Sequence, residues 1–168
     1  MKQAIAGVAP PELSEVTVMT IWPSVAATSG GRFLGRLLAI QAGFGMFRLG
    51  RLFALLALPV APLFYGYLRL PWVVRRYRLT NRRVAVLKGI RPQVEWFVDL
   101  DRFDAIEVVV RPGQEWYHAG DLVFRKGALE TFRLTGVPRP ETFRQTCLKA
   151  RMSYVGVRNA REMETANS

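Results

Sequence analysis

Successive changes in the pattern of apolar and polar positions divide the 168-residue chain. Residues 1–14 are polar or small, include Pro10 and Pro11, and predict a mobile N-terminus. The stretch EVTVMTIWPS (15–24) sets Val16, Val18 and Thr20 against Thr17, Met19 and Ile21. It is rich in β-branched residues and closes at Pro23, which predicts one short strand. From 31 to 72 the pattern turns apolar. Within it, residues 33–47 predict a short helix of roughly 22 Å, less than the ~20 residues that cross a bilayer comfortably, and it contains Arg36 and Gln41. Such a helix suits the membrane interface, with Arg36 and Arg48 reaching toward head groups, or the short arm of a helical hairpin. Residues 52–72 predict a membrane helix of roughly 31 Å, matched to a bilayer core of about 30 Å. Its single charge, Arg69, sits near the end where it can snorkel, beside the interface aromatics Tyr65, Tyr67 and Trp72. Pro59 and Pro62 are better tolerated in a membrane helix than in a soluble one.

After Trp72 the period becomes two. VVRRYRLT places Tyr77 and Leu79 on one face and Arg76 and Arg78 on the other. Thr80-Asn81 supplies a turn, with Asn81 suited to positive φ, and RRVAVLKG returns as a second strand closed by Gly89. QVEWFVDL, FDAIEVVV and a pair of strands around Lys126-Gly127 complete six strands, the signature of an antiparallel sandwich or barrel. PRPETFRQTCLKARMSYV then reads as a helix. Pro140 and Glu141 suit its first turn, and Phe143, Cys147, Ala150 and Tyr154 form an apolar stripe fit to cover one opening of the barrel. From Arg158 the periodicity is lost, which predicts a frayed tail within 156–168.

Charge changes this picture. The net charge is +11. No acidic residue stands between Glu15 and Glu95, an interval with twelve basic ones, whereas from Pro92 onward eleven basic residues balance eleven acidic ones. All of the imbalance therefore surrounds the apolar region, the distribution that membrane insertion selects. Arg69, Arg75, Arg76, Arg78, Arg82 and Arg83 are the predicted membrane-surface contacts, each adding about 1 kcal/mol near an anionic leaflet. The bland reading is that these arginines only set topology. A hairpin also fits the positive-inside tendency better than a single crossing, because it leaves only Arg48 and Arg51 on the far side.

Little points to catalysis. One cysteine, Cys147, permits neither a disulfide framework nor a thiolate metal site within the chain, and reads as a small core residue. His118 is the only histidine. Asp121 and Glu115 lie near it, but no nucleophile motif does, so it reads as a loop histidine. Asp99, Asp101, Asp104 and Glu107 lack the glycine and terminal glutamate of a calcium loop and read as turn and solvated strand residues. GGRFLG lacks the lysine-serine ending of a phosphate loop. No enzyme activity, cofactor or metal is expected.

YRLTNRR (77–83), Gly89, LDRFDAIEV (100–108), GDLVF (120–124) and FRLTGVPRPETFRQ (132–145) resemble segments of the bacterial PH-domain family, the membrane-flanked domain proteins, over residues 73–155. The resemblance implies a PH-like roll of two packed antiparallel sheets capped by one C-terminal α-helix, preceded by a membrane helix or helical hairpin. Family members commonly place two clear membrane helices before the domain; here the first is short and carries Arg36. A PH-like roll needs seven strands, and the 15–24 segment is available as the seventh, which requires it and the domain to share one side of the membrane. The expected function is a non-enzymatic module, anchored in the bacterial cytoplasmic (inner) membrane, presenting a β-roll toward the cytoplasm for contact with a protein partner or anionic lipid. No nucleic acid is expected. The competing reading is a soluble, basic nucleic-acid-binding protein whose apolar run is buried core.

Overall fold

The computed structural model describes residues 15–40, 55, 56, 58, 59, 62, 63, 66 and 74–166. The N-terminal residues 1–14, two thirds of the membrane helix expected at 52–72, and Tyr65, Tyr67, Arg69 and Trp72 lie outside that set. Among the described residues no helix is long and apolar enough to cross a membrane.

Among the described residues, seven strands form two antiparallel sheets. The first has the order β1 (Thr17–Ile21), β2 (Arg75–Thr80), β3 (Arg83–Lys88), β4 (Gln93–Asp99); the second has β5 (Ala105–Val109), β6 (Ala119–Lys126), β7 (Leu129–Pro138). Period-two patterning accounts for their inner faces. Tyr77 and Leu79 from β2, Val84 and Val86 from β3, Val98 from β4, Ile106 from β5, and Leu122 and Phe124 from β6 join one buried cluster. Phe124 stands edge-on to Phe103 at 4.9 Å and to Phe132 at 5.5 Å, arrangements that aromatic quadrupoles favour.

The seventh strand comes from before the apolar region. β1 pairs antiparallel with β2, setting Ile21 opposite Tyr77 and Met19 opposite Leu79, with a bulge between Thr17 and Met19. Asn81 does not take the positive φ expected of it. The two-residue turn is held instead by Thr80, whose Oγ1 accepts from the amides of Arg82 and Arg83. Asn81 serves β1: its Oδ1 accepts from Val16 N at 3.0 Å, and its own amide donates to Val16 O. Beside it, Glu15 takes two hydrogen bonds from the Arg83 guanidinium. Those bonds hold the Glu15 carboxyl below its ordinary range, with burial pushing the other way and Thr80 assisting. A carboxyl depressed in the folded state stabilises above its unfolded pKa, and that contribution fades as pH falls through the folded value. The protection of the Val16 and Thr17 amides, relative to that of β6 amides, is therefore expected to fall as the pH drops below the ordinary carboxylate range, and Glu15→Gln is expected to abolish that dependence.

Two α-helices with described bounds pack against the roll. α1 (Ser29–Leu38) starts earlier than the helix expected at 33–47, because Thr28 caps it by accepting from Gly31 N at 3.1 Å; residues 41–47 lie outside the described set. α2 (Pro140–Ala166) buries Phe143 and Cys147 as its sequence stripe predicts. It does not fray at Arg158. That residue bridges Asp101 at 2.9 Å and Glu162 one turn on, so the expected tail remains helical to Ala166. Burial pushes the Cys147 thiol up to about 12. Only the thiolate is nucleophilic, so a thiol reagent at neutral pH is expected to leave Cys147 unmodified until the protein unfolds.

Candidate membrane-facing end of the roll

The chain returns from the apolar region at Val74, directly ahead of β2. Gly89 N donates to Val74 O at 2.9 Å, and Arg75 stands opposite Lys88 across the hairpin. The β3–β4 turn, residues 89–92, is therefore folded against the point where the chain emerges. On the other flank, Ile21 pairs with Tyr77, so Trp22 also leaves β1 at this end. We call it the stem end of the roll.

The stem end is basic and apolar together. Ile90 is 65% exposed and Trp22 59%. Lys88 and Arg91 are exposed and make no ion pair among the described residues. Arg75 pairs with Glu95 at 3.2 Å while half its side chain stays in solvent. Arg76 is held by carbonyls, donating to Gly89 O at 3.2 Å and Ile90 O at 3.1 Å. Arg78 and Arg76 share the outer face of β2, each half-buried with an Nε that has no hydrogen-bond partner.

The structure does not bring all the sequence-predicted cations together. Arg82 and Arg83 occupy the opposite end of the hairpin, a full strand of about 17 Å from Val74. Arg83 is neutralised by Glu15 and stacks over the Phe97 ring at 5.0 Å. Sequence reasoning overlooked Lys88, Ile90 and Arg91, although the signal was present: an antiparallel hairpin returns the end of its second strand to the start of its first.

A second feature, which the sequence pattern missed, ties the stem together. Asp121 is fully buried. Its Oδ1 accepts from Gln114 Nε2 at 2.7 Å and from Gly136 N at 3.0 Å, and its Oδ2 faces Arg111 Nε at 2.8 Å. Gln114, also fully buried, accepts at Oε1 from Arg111 N and at its carbonyl from Tyr117 N and Ala119 N. One carboxylate thus fixes both the 111–118 loop and the turn of β7 at Gly136. α1 rests on that loop without side chains between them: a Cβ on Gly35 would lie 2.1 Å from Gly113 O, and one on Gly113 2.0 Å from Arg32 O; on another side of α1, a Cβ on Gly31 would lie 2.0 Å from Val25 O. Arg36 donates to Pro112 O at 3.3 Å.

The other residues weighed for chemistry have structural places. His118 is exposed, in the left-handed region at φ 48°, and its carbonyl accepts from Arg139 N. Trp116 is half-exposed on the same loop. Asp104 accepts from Gly127 N, Asp101 pairs with Arg158, and Glu107 pairs with Arg125. Among the described residues no group of three or more His, Cys, Asp or Glu is arranged to hold a metal ion.

Two antiparallel sheets, of four and three strands, with one C-terminal helix over the shared core define a PH-like roll. Residues 31–151 match the family model of the bacterial PH domain. The chain belongs to the bacterial PH-domain family. The match takes in α1 and the apolar stretch and ends within α2, so β1 completes the roll from outside it. No curated protein and no solved structure shows a significant match to the chain.

Proposed function

We propose that this chain is a membrane-anchored PH-like module that presents its roll at the cytoplasmic face of the bacterial inner membrane. It acts by contact with anionic lipid or a protein partner rather than by catalysis. The observation that carries this reading is the exposure of the described leucines in the apolar stretch. Leu55 and Leu56 are each 71% exposed, Leu58 70% and Leu63 75%, so these side chains project away from the roll instead of filling it. Four bare leucines close in sequence are the kind of apolar surface that soluble proteins avoid and membranes cover. The same leucines weigh against a soluble protein whose apolar run is core.

Contact with the leaflet is assigned to the stem end: Trp22, Arg75, Arg76, Lys88, Ile90 and Arg91. The test begins with fractionation of the expressed full chain. The membrane pellet is expected to retain the protein through high-salt and alkaline carbonate washes until detergent is added; release by salt alone would sink the reading. For the lipid contact, partition from mild detergent into phosphatidylglycerol vesicles is compared with partition into phosphatidylcholine vesicles. At about 1 kcal/mol per charge, the double variant Lys88→Gln, Arg91→Gln is expected to lose roughly 30-fold of the anionic preference. Arg82→Gln, at the far end of the hairpin, is expected to lose little.

A further inference from the structure

The first sheet ends on β4, which pairs only with β3 among the described strands. On the β3 side, Leu100 N donates to Arg82 O at 2.9 Å. Backbone direction alternates along an antiparallel strand, and Trp96 to Asp99 keep one unbroken register against Val86 to Arg83. Val98 and Trp96 therefore also turn their backbone groups toward β3, and those of Phe97 and Asp99 point away from the sheet. The Asp99 carbonyl accepts from Arg102 N at 3.0 Å. The Phe97 amide and carbonyl and the Asp99 amide take no hydrogen bond among the described residues.

The other edges are less open. α2 packs on β5, and Arg144 Nη1 donates to the Ile106 carbonyl at 3.5 Å. β7 gives its Thr135 carbonyl to Tyr77 Oη and its Gly136 carbonyl to Ser24 N. β1 has five residues and a bulge between Thr17 and Met19, a device that blunts an edge. β4 is bulged too, between Val94 and Trp96, but its four residues beyond the bulge stay in register.

Those residues are also apolar and bare. Trp96 is 62% exposed and Phe97 50%. As neighbours in a strand they point to opposite faces, so a strand laid alongside meets an aromatic on either side of its backbone. Lysine or proline commonly guards an edge that stays unpaired, and Trp96–Val98 carries neither.

Charge selects the occupant. At the Asp99 end, Arg82 and Arg102 make no ion pair among the described residues. The acids around them are engaged: Glu15 holds Arg83, which also stands opposite Asp99, and Asp101 holds Arg158. The Gln93 end carries Lys88 and Arg91, unpaired as well. A second copy laid antiparallel on β4 would bring its own Arg91 toward Arg102, cation against cation. A segment with an acidic end meets opposite charge instead.

We propose that the free edge of β4 takes up an extended segment of a protein partner as a fifth strand of the first sheet. Its backbone pairs with Phe97 and Asp99, its apolar side chains cover Trp96 and Phe97, and its acidic end faces Arg82 and Arg102. This gives the protein-contact arm of the reading above a chemistry and a place. It does not require the membrane anchor, which fractionation tests separately.

Hydrogen exchange of the full chain in mild detergent tests it, with a synthetic peptide as probe: a short run of alternating valine and threonine with aspartates at both ends, which serves either strand direction. The peptide is expected to slow exchange at the Phe97 and Asp99 amides about tenfold while β6 amides stay unchanged. N-methylation of every amide in the valine-threonine run leaves the protein untouched and is expected to abolish the protection. Arg82→Gln with Arg102→Gln is expected to weaken peptide binding on the order of fivefold. The same double variant is expected to keep its preference for phosphatidylglycerol vesicles, which separates this edge from the lipid contact. No protection by the parent peptide, or equal protection by its N-methylated form, would overturn the added strand. Unchanged binding to the double variant would overturn the acidic end. Slow exchange at Phe97 and Asp99 without peptide, deepening with protein concentration, would mean that a second copy holds the edge. Protection by phosphatidylglycerol vesicles alone would place the edge against lipid, and either result would overturn the partner segment. Release of the protein from membranes by salt would sink the anchor and leave this proposal standing.

Discussion

Replacing Asp121 by alanine is expected to cost the folded protein about 3–5 kcal/mol, the range for removing one partner of a buried charged cluster. The carboxylate is fully buried, and four groups depend on it. Gln114 Nε2 and Gly136 N lose their acceptor, Arg111 loses its counter-charge, and Arg133, 3.8 Å away, loses a weaker one. Buried donors left without acceptors carry most of the cost, since each forfeits hydration without recompense. Arg111 is 39% exposed and can turn to water, so its loss adds less. Asp121→Asn separates the two effects. It can keep an oxygen toward Gln114 and Gly136 while losing the charge, and is expected to cost the smaller share. Thermal unfolding of the full chain in mild detergent reads the difference, with Tm for the alanine variant about 10 °C below wild type. Equal losses for both variants would show that the charge, rather than the acceptor geometry, carries the site.

Gly35→Val is expected to release α1 from the roll while leaving the core intact. The added Cβ would stand 2.1 Å from Gly113 O and 2.8 Å from the Tyr117 ring. The nearer clash is with backbone, so no rotamer change relieves it. Valine is also a better helix former than glycine, so a weakened α1 could not be blamed on helix propensity. A docking loss of about 2 kcal/mol would raise the open population roughly 30-fold, and trypsin cleavage after Arg32 and Arg36 should accelerate in proportion. Near-UV circular dichroism from the roll is expected to change little. Unchanged cleavage would mean that the 111–118 loop yields instead, and that the Asp121 network is looser than its hydrogen bonds indicate.

The parts of the fold legible in the sequence are those written in short-range periodicity. β2 and β3 alternate Tyr77, Leu79, Val84 and Val86 inward, and α2 repeats Phe143 and Cys147 at helical spacing. The illegible parts depend on contacts between distant positions. Gly35 and Gly113 look like loop punctuation, yet they let α1 and the 111–118 loop meet backbone to backbone, as Gly31 does for α1 and Val25. Asp121 and Gln114, seven residues apart, face each other only because the loop between them folds back. The basic hairpin beside the apolar run is legible in the sequence as a run of arginines. Which of its ends lies beside Val74 depends on strand direction, and that moves the proposed contact from Arg82 and Arg83 to Lys88 and Arg91.

The pairing of β1 with β2 also sets an order of events during synthesis. Val16 and Asn81, joined by hydrogen bonds, are 65 residues apart in the chain. At 5–20 residues per second, β1 waits roughly 3–13 s for its partner to be made. In that interval the apolar stretch leaves the ribosome first. The whole apolar stretch is thus made before the roll can close, and the pairing that completes the four-stranded sheet comes late, as a latch drawn across its outer edge.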